Sequence, residues 1–139
     1  MKKLSKGLSA EEIAALDKAF VELFRLHNKL RTEMPIAKRI KFPPVPSILS
    51  ESMVIMGARK LFNLGNSWDA FRGGNICDVL LIDNLGNQQR VEVKATGERE
   101  TLELKPRDIE KEWLVWVAFG SRYGHGPEVW THLINGEWS

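Results

Sequence analysis

The stretch from Ile76 to Thr96 constrains the fold of this chain more than any other. Ile76-Cys77-Asp78-Val79-Leu80-Leu81-Ile82 reads as a strand that is apolar on both faces. Asp83-Asn84-Leu85-Gly86-Asn87 has turn chemistry, and Gln88 to Thr96 alternates with a period of two. The two runs therefore form a hairpin. With Asn84-Leu85-Gly86 as a three-residue loop and Gly86 in the left-handed region, Asp83 pairs with Asn87 and Asp78 falls opposite Glu92.

The flanks are read from similar signals. Ser9 with Glu12 makes a capping box, and Ile13, Leu16, Phe20, Leu23, His27 and Leu30 recur at helical spacing, which predicts a helix from about Ala10 to Arg31. Met34-Pro35 through Pro46 is an extended, proline-rich connector carrying Lys38, Arg39 and Lys41. Pro46 and Ser47 start a second helix that runs to Leu64 and stops at Gly65, with Ile48, Ile55, Ala58 and Phe62 on one apolar face. Glu51 falls in register with that face, where an unpaired carboxylate is costly to bury, so a partner is expected for it. Asn63 to Asn75 reads as a loop. Beyond the hairpin, Gly97 to Leu104 reads as a polar loop, and Pro106 opens a short helix to about Lys111. Trp113 to Phe119 is a buried strand, and Glu128 to Ile134 is a last strand ahead of the turn Asn135-Gly136. With so little chain beyond that turn, the sequence is either a fragment of something longer or stops there.

At 139 residues, 43% of them apolar and 27% charged, the chain has the make-up of one soluble globular domain. No run approaches the roughly 18 apolar residues of a membrane span, and the first residues lack the apolar stretch of a signal peptide. A cytoplasmic protein with no membrane partner is expected. Cys77 is the only cysteine, which excludes an internal disulfide and a structural zinc site. Residues 1–41 hold 10 Lys and Arg against 5 Asp and Glu, and the remainder holds 10 against 13. That basic surplus fits either a polyanion partner or a solvated helix face.

The expected hairpin register gathers charge. Cross-strand neighbours have Cβ atoms about 5 Å apart, and the period of two puts Arg90, Glu92 and Lys94 on the face that Asp78 shares. Two carboxylates this close repel, and an apolar strand is a poor place for Asp78 unless a cation joins it. The cluster therefore suits a hard divalent ion, above all magnesium, with manganese as a substitute. Such an ion binds one or two carboxylates, waters and a phosphate, and lowers the pKa of a bound water that can attack. Lys94 is placed to orient that water or to stabilise the transition state as a point charge. Glu51 is expected to complete the set, as ligand to a second ion or as acceptor for a metal-bound water. The alternative reading of the same letters is an ordinary half-exposed strand with satisfied salt bridges.

Asp78, thirteen intervening residues and Glu92-Val93-Lys94 resemble the PD-(D/E)xK motif of restriction-endonuclease-like nucleases, and Glu51 resembles the acidic residue on the helix preceding their core sheet. The polar stretch, short helix and apolar strand from Thr101 to Phe119 are similar to the segment C-terminal to the motif in type II restriction enzymes. Cys77 stands where the motif's proline would be. The resemblance implies an α/β fold with a mixed central β-sheet of about four to five strands flanked by helices. It also implies a single nuclease domain over residues 1–139, divided into N-terminal helix (1–33), linker (34–46) and catalytic core (47–139). Asp78, Glu92 and Glu51 would bind magnesium and Lys94 would assist hydrolysis, making the chain a metal-dependent DNA endonuclease without an organic cofactor. Arg72, Asn75, Arg90, Arg99 and Lys105 are the expected phosphate contacts, while Lys38, Arg39 and Lys41 are expected to track the DNA backbone. Cutting both strands of double-stranded DNA needs two sites, hence a homodimer. The N-terminal helix is one candidate surface for it, and packing on its own sheet is the other use of its stripe. The same motif serves junction resolvases, repair nucleases and modules of larger proteins, and a degenerate fold of this kind binds nucleic acid without catalysis.

Other candidates are weaker. His27 has no second ligand one turn away, and His125 and His132 have no Cys or Asp pair beside them. Ser67, Ser121 and Cys77 have no visible base. The tryptophans read as core or interface anchors before stacking platforms.

Overall fold

A computed structural model of the chain describes residues 4–36, 45–96 and 104–119, and the backbone alone of 128–133. Helix α1 (Ala10–Glu33) begins with the expected capping box: Glu12 N–H donates to Ser9 Oγ at 3.2 Å and Ser9 N–H to Glu12 Oε1 at 3.0 Å. Its buried face differs from the expected stripe. Ile13, Phe20 and Phe24 are buried, whereas Leu23 and Leu30 are 45% and 37% exposed. The reason is that α1 packs on another helix, α2 (Ser47–Met56), which covers a narrower face than a sheet would.

The second helix is shorter than its sequence pattern suggests. At Gly57 the backbone leaves the helical region (φ −92°, ψ 5°), and one further turn, α3 (Ala58–Leu61), follows. Because α2 lies between α1 and the sheet, it is buried nearly all round, from Leu49 to Ser52 and again at Val54 and Ile55.

Five strands form one sheet in the order β1 (Trp68–Arg72), β2 (Val79–Asp83), β3 (Gln88–Thr96), β4 (Trp113–Ala118), β5 (Glu128–Leu133). Strands β3 and β4 run parallel and the other neighbours antiparallel, so the sheet is mixed and the fold is α/β. The β2–β3 register is the expected one. Val79 faces Val91 and Leu80 faces Arg90, Asp83 N–H donates to Asn87 O at 3.0 Å, and Gly86 has a φ of 86°.

Three readings are corrected. The stretch expected to be loop contains β1, drawn into extended form by its pairing with β2. Strand β2 starts at Val79 rather than Ile76, because residues 73–78 close a tight loop in which Gly73 N–H donates to Asp78 O at 3.1 Å. Pro106–Glu110, expected as a short helix, is a 3-10 turn.

The period of two then sorts the sheet's side chains. Val79, Leu81, Val91, Val115 and Val117 form the core with Phe24, Leu49 and Val54 of the helices. Phe62, just past α3, meets Trp113 edge-on with ring centroids 4.9 Å apart. Leu80, Arg90, Glu92, Lys94 and Leu114 therefore take the opposite face, and the 3-10 turn of the β3–β4 crossover folds over it to reach Lys94. This places the charged cluster on the side of the sheet away from the helices. Among the described residues, no helix is long and apolar enough to cross a membrane.

Candidate active site

Asp78 stands at the entrance to β2, where its Oδ2 accepts the Val93 N–H at 2.8 Å. That bond fixes the carboxylate beside Glu92 on the neighbouring strand. Both acids line a cavity of about 310 Å³ together with Gly74, Asn75, Ile76, Cys77, Arg107 and Lys111. Burial first, and the charge of Asp78 second, push the Glu92 carboxyl above the ordinary carboxylate range, and Lys94 offsets only part of this. The pair expected from the hairpin register thus converges on one space.

Lys94 is held by two acids. Its Nζ lies 3.1 Å from Asp108 Oδ1 and 3.8 Å from Glu92 Oε1. Asp108, on the 3-10 turn, is fully buried, and it is not among the residues expected at the site. Its Oδ2 accepts the Lys105 N–H at 2.7 Å, while Oδ1 faces the ammonium as an ion-pair partner without an aligned hydrogen bond. Burial pushes the Asp108 carboxyl up, but the Lys105 N–H and the Lys94 ammonium outweigh it and hold the group below its ordinary range. The available signal was positional. An acid two residues past Pro106 sits where a helical start leaves backbone N–H groups to be capped.

Glu51 has the partner that its burial demanded. Arg72 Nε and Nη2 each lie 3.3 Å from Glu51 Oε1. The guanidinium does not fully compensate, since burial and then the charge of Asp78 leave the Glu51 carboxyl raised. Asp78 is therefore the common neighbour whose charge disfavours ionisation of both glutamates. Among the described residues, no group of three or more His, Cys, Asp or Glu side chains is close enough together to hold a metal ion. The cavity is lined by two of the three expected acids, Asp78 and Glu92.

The expected phosphate contacts fare unevenly. Arg72 is engaged by Glu51, and Arg90 by Glu112, with Nε 3.1 Å from Oε2, and by the Glu110 carbonyl at 3.0 Å. A fixed carboxylate at hydrogen-bond distance is a stronger claim on a guanidinium than open solvent. Asn75 lines the cavity, as expected. Lys105 contributes its backbone N–H to Asp108, and its side chain is exposed. Lys38, Arg39, Lys41, Arg99 and His125 lie outside the described residues, and of His132 only the backbone, in β5, is described. Cys77 is a packing residue. Its thiol donates to Val79 O at 3.2 Å, and burial pushes it up, away from the reactive thiolate.

No protein-family model matches the chain, and neither does any curated protein or solved structure compared with it.

Proposed function

We propose that the chain is a metal-dependent endonuclease that hydrolyses phosphodiester bonds in double-stranded DNA, with Asp78 and Glu92 holding magnesium and Lys94 assisting. The observation that carries this reading is the convergence of Asp78 and Glu92 on one cavity, where burial and the charge of Asp78 keep the Glu92 carboxyl raised. Two carboxylates open to water on one side are a donor set that a hard divalent cation accepts, and manganese suits the same oxygens. Bound there, magnesium supplies Lewis acidity and a water of lowered pKa.

The chain's own residues do the rest. The Val93 N–H fixes the Asp78 carboxylate on the rim of the cavity. Asp108 and Glu92 hold the Lys94 ammonium beside the acids, so a positive charge meets the negative charge that builds on a phosphate's oxygens during attack. Glu51 stays close enough to sense Asp78 and acts as a supporting acceptor through Arg72. A second copy of the chain, paired through the exposed Leu23, Leu26 and Leu30 of α1 and Met34 at its C-terminal cap, would provide the site for the other strand.

One observation favours a second reading, a nucleic-acid-binding or assembly module without catalysis: the Lys94 ammonium, expected to act on the phosphate, already has two acidic partners within the protein. Incubation of plasmid and four-way-junction DNA with magnesium separates the two. We expect cleavage by the wild type, lost on chelation and lowered about 100-fold or more by Asp78→Asn. Discrete plasmid fragments point to a restriction-type enzyme, and cutting of the junction alone points to a resolvase. No cleavage by the wild type leaves the binding module.

A further inference from the structure

Each cation whose side chain meets an acid around the sheet has been taken by it: Lys6 by Asp69, Arg72 by Glu51, Arg90 by Glu112 and Lys94 by Asp108. Arg107 and Lys111 are different. Both line the cavity that Asp78 and Glu92 line, yet neither enters a hydrogen bond or an ion pair among the described residues. Both come from the crossover segment, Arg107 on the 3-10 turn and Lys111 just past its end, and Asn75 adds an amide to the same wall. Their charges are felt nearby without closing on an acid, Lys111 at Glu92 in the cavity and Arg107 at its chain neighbour Asp108. Two cations that share a cavity of about 310 Å³ with two carboxylates, and do not collapse onto them, leave space for a group that satisfies both sides. A nucleic-acid chain is such a group, because one phosphate can sit at the acidic end while the next meets the cations.

We propose that Arg107 and Lys111 form a subsite for the backbone phosphate adjacent to the one held at Asp78 and Glu92, so that the substrate is an internal phosphodiester of a nucleic-acid chain and not a terminal phosphate. This rests on the nuclease reading. The guanidinium fork of Arg107 suits two phosphate oxygens at once, and Lys111 acts as a point charge. Arg72 and Arg90 then serve the fold, and phosphate contact passes to residues of the crossover.

The test is binding of a short DNA duplex in magnesium as a function of salt, in an Asp78→Asn background that leaves the duplex intact. Adding Arg107→Gln and Lys111→Gln should raise Kd about tenfold or more and make the slope of log K against log salt shallower by about 1 to 2, since each phosphate contact contributes about 0.9. Arg107 is exposed and Lys111 half-buried, and an unchanged melting temperature excludes a folding defect. A merely structural role would not move the salt slope. An unchanged Kd and slope overturn the subsite even if the wild type cuts DNA. If the slope falls but the wild type cuts nothing, the subsite stands as a nucleic-acid contact and the nuclease reading fails. No duplex binding by the parent at low salt overturns both.

Discussion

Glu51 on α2 and Asp108 on the 3-10 turn are the two buried acids among the described residues, 8% and 0% exposed, and the protein settles them in opposite ways. Burial pushes both carboxyls up. Asp108 nevertheless ends below its ordinary range, because each of its oxygens has a donor or a cation: the Lys105 N–H on one and the Lys94 ammonium on the other. Glu51 ends above its range, because Arg72 approaches only one of its oxygens, at 3.3 Å, and Asp78 adds a like charge nearby. Glu92 shares the fate of Glu51, raised by burial and by the same aspartate. A buried acid whose charge is balanced by a donor and a cation is part of the scaffold. One left short of positive charge beside another acid is where a ligand with positive charge gains most.

The largest effect expected from this difference is structural. Lys94→Met removes the cation from a fully buried carboxylate and should cost about 3 to 5 kcal/mol in urea unfolding at pH 7. The pH response separates the variant from the wild type. In the wild type the folded pKa of Asp108 lies below its unfolded value near 3.9, so its contribution is present above that pH and is lost as pH falls through the folded pKa. In Lys94→Met the same burial acts without the ammonium, the folded pKa rises, and acid should relieve the penalty. The double variant Lys94→Met with Asp108→Asn should regain most of the stability and still fail to cut DNA. A Lys94→Met protein as stable as the wild type would mean that Asp108 is not settled by its partner.

Next in size is the response to metal. Folded Glu51 and Glu92 hold their protons more tightly than the unfolded chain does, so the stability they contribute is lost as pH rises through their raised pKa values. On the proposed reading, magnesium would supply the missing counter-charge. It should therefore stabilise the protein by about 2.7 kcal/mol at 100 times its Kd, and the gain should shrink as pH falls and the glutamates protonate. Scanning calorimetry with and without magnesium at several pH values measures this. Asp78→Ala should abolish the gain, and a gain that persists in Asp78→Ala would move the metal elsewhere.

The same contrast explains how much was legible in the sequence. The hairpin and the Asp78–Glu92 pairing could be read because a local device, Gly86 at positive φ closing a three-residue loop, fixes the register. The need of Glu51 for a partner was legible from its place on an apolar face, but the identity of Arg72 was not, since β1 becomes a strand only through pairing with β2. Asp108 was hidden for a related reason. Its burial arises when the crossover folds onto the outer sheet face, a long-range event that leaves no periodicity in the 3-10 turn itself. The face of α1 differs by one position, with Phe24 buried where Leu23 was expected, because helical spacing alone does not say whether a helix or a sheet will cover it.

The smallest effect should come from Glu51→Gln. The change removes a charge that burial and Asp78 both disfavour, and it leaves Arg72 with 37% of its side chain open to water, which can take over the solvation. The two contributions oppose each other, so stability at pH 7 should move by no more than about 1 kcal/mol in either direction, far less than for Lys94→Met. Metal affinity should fall about 10-fold to 100-fold, the range for loss of a supporting group around a metal site. Urea unfolding together with magnesium titration of the one variant reads both quantities. If Glu51→Gln unfolds as readily as Lys94→Met while binding magnesium as the wild type does, Glu51 belongs with Asp108 in the scaffold, and Glu92 beside Asp78 remains the one acid of the cavity held short of counter-charge.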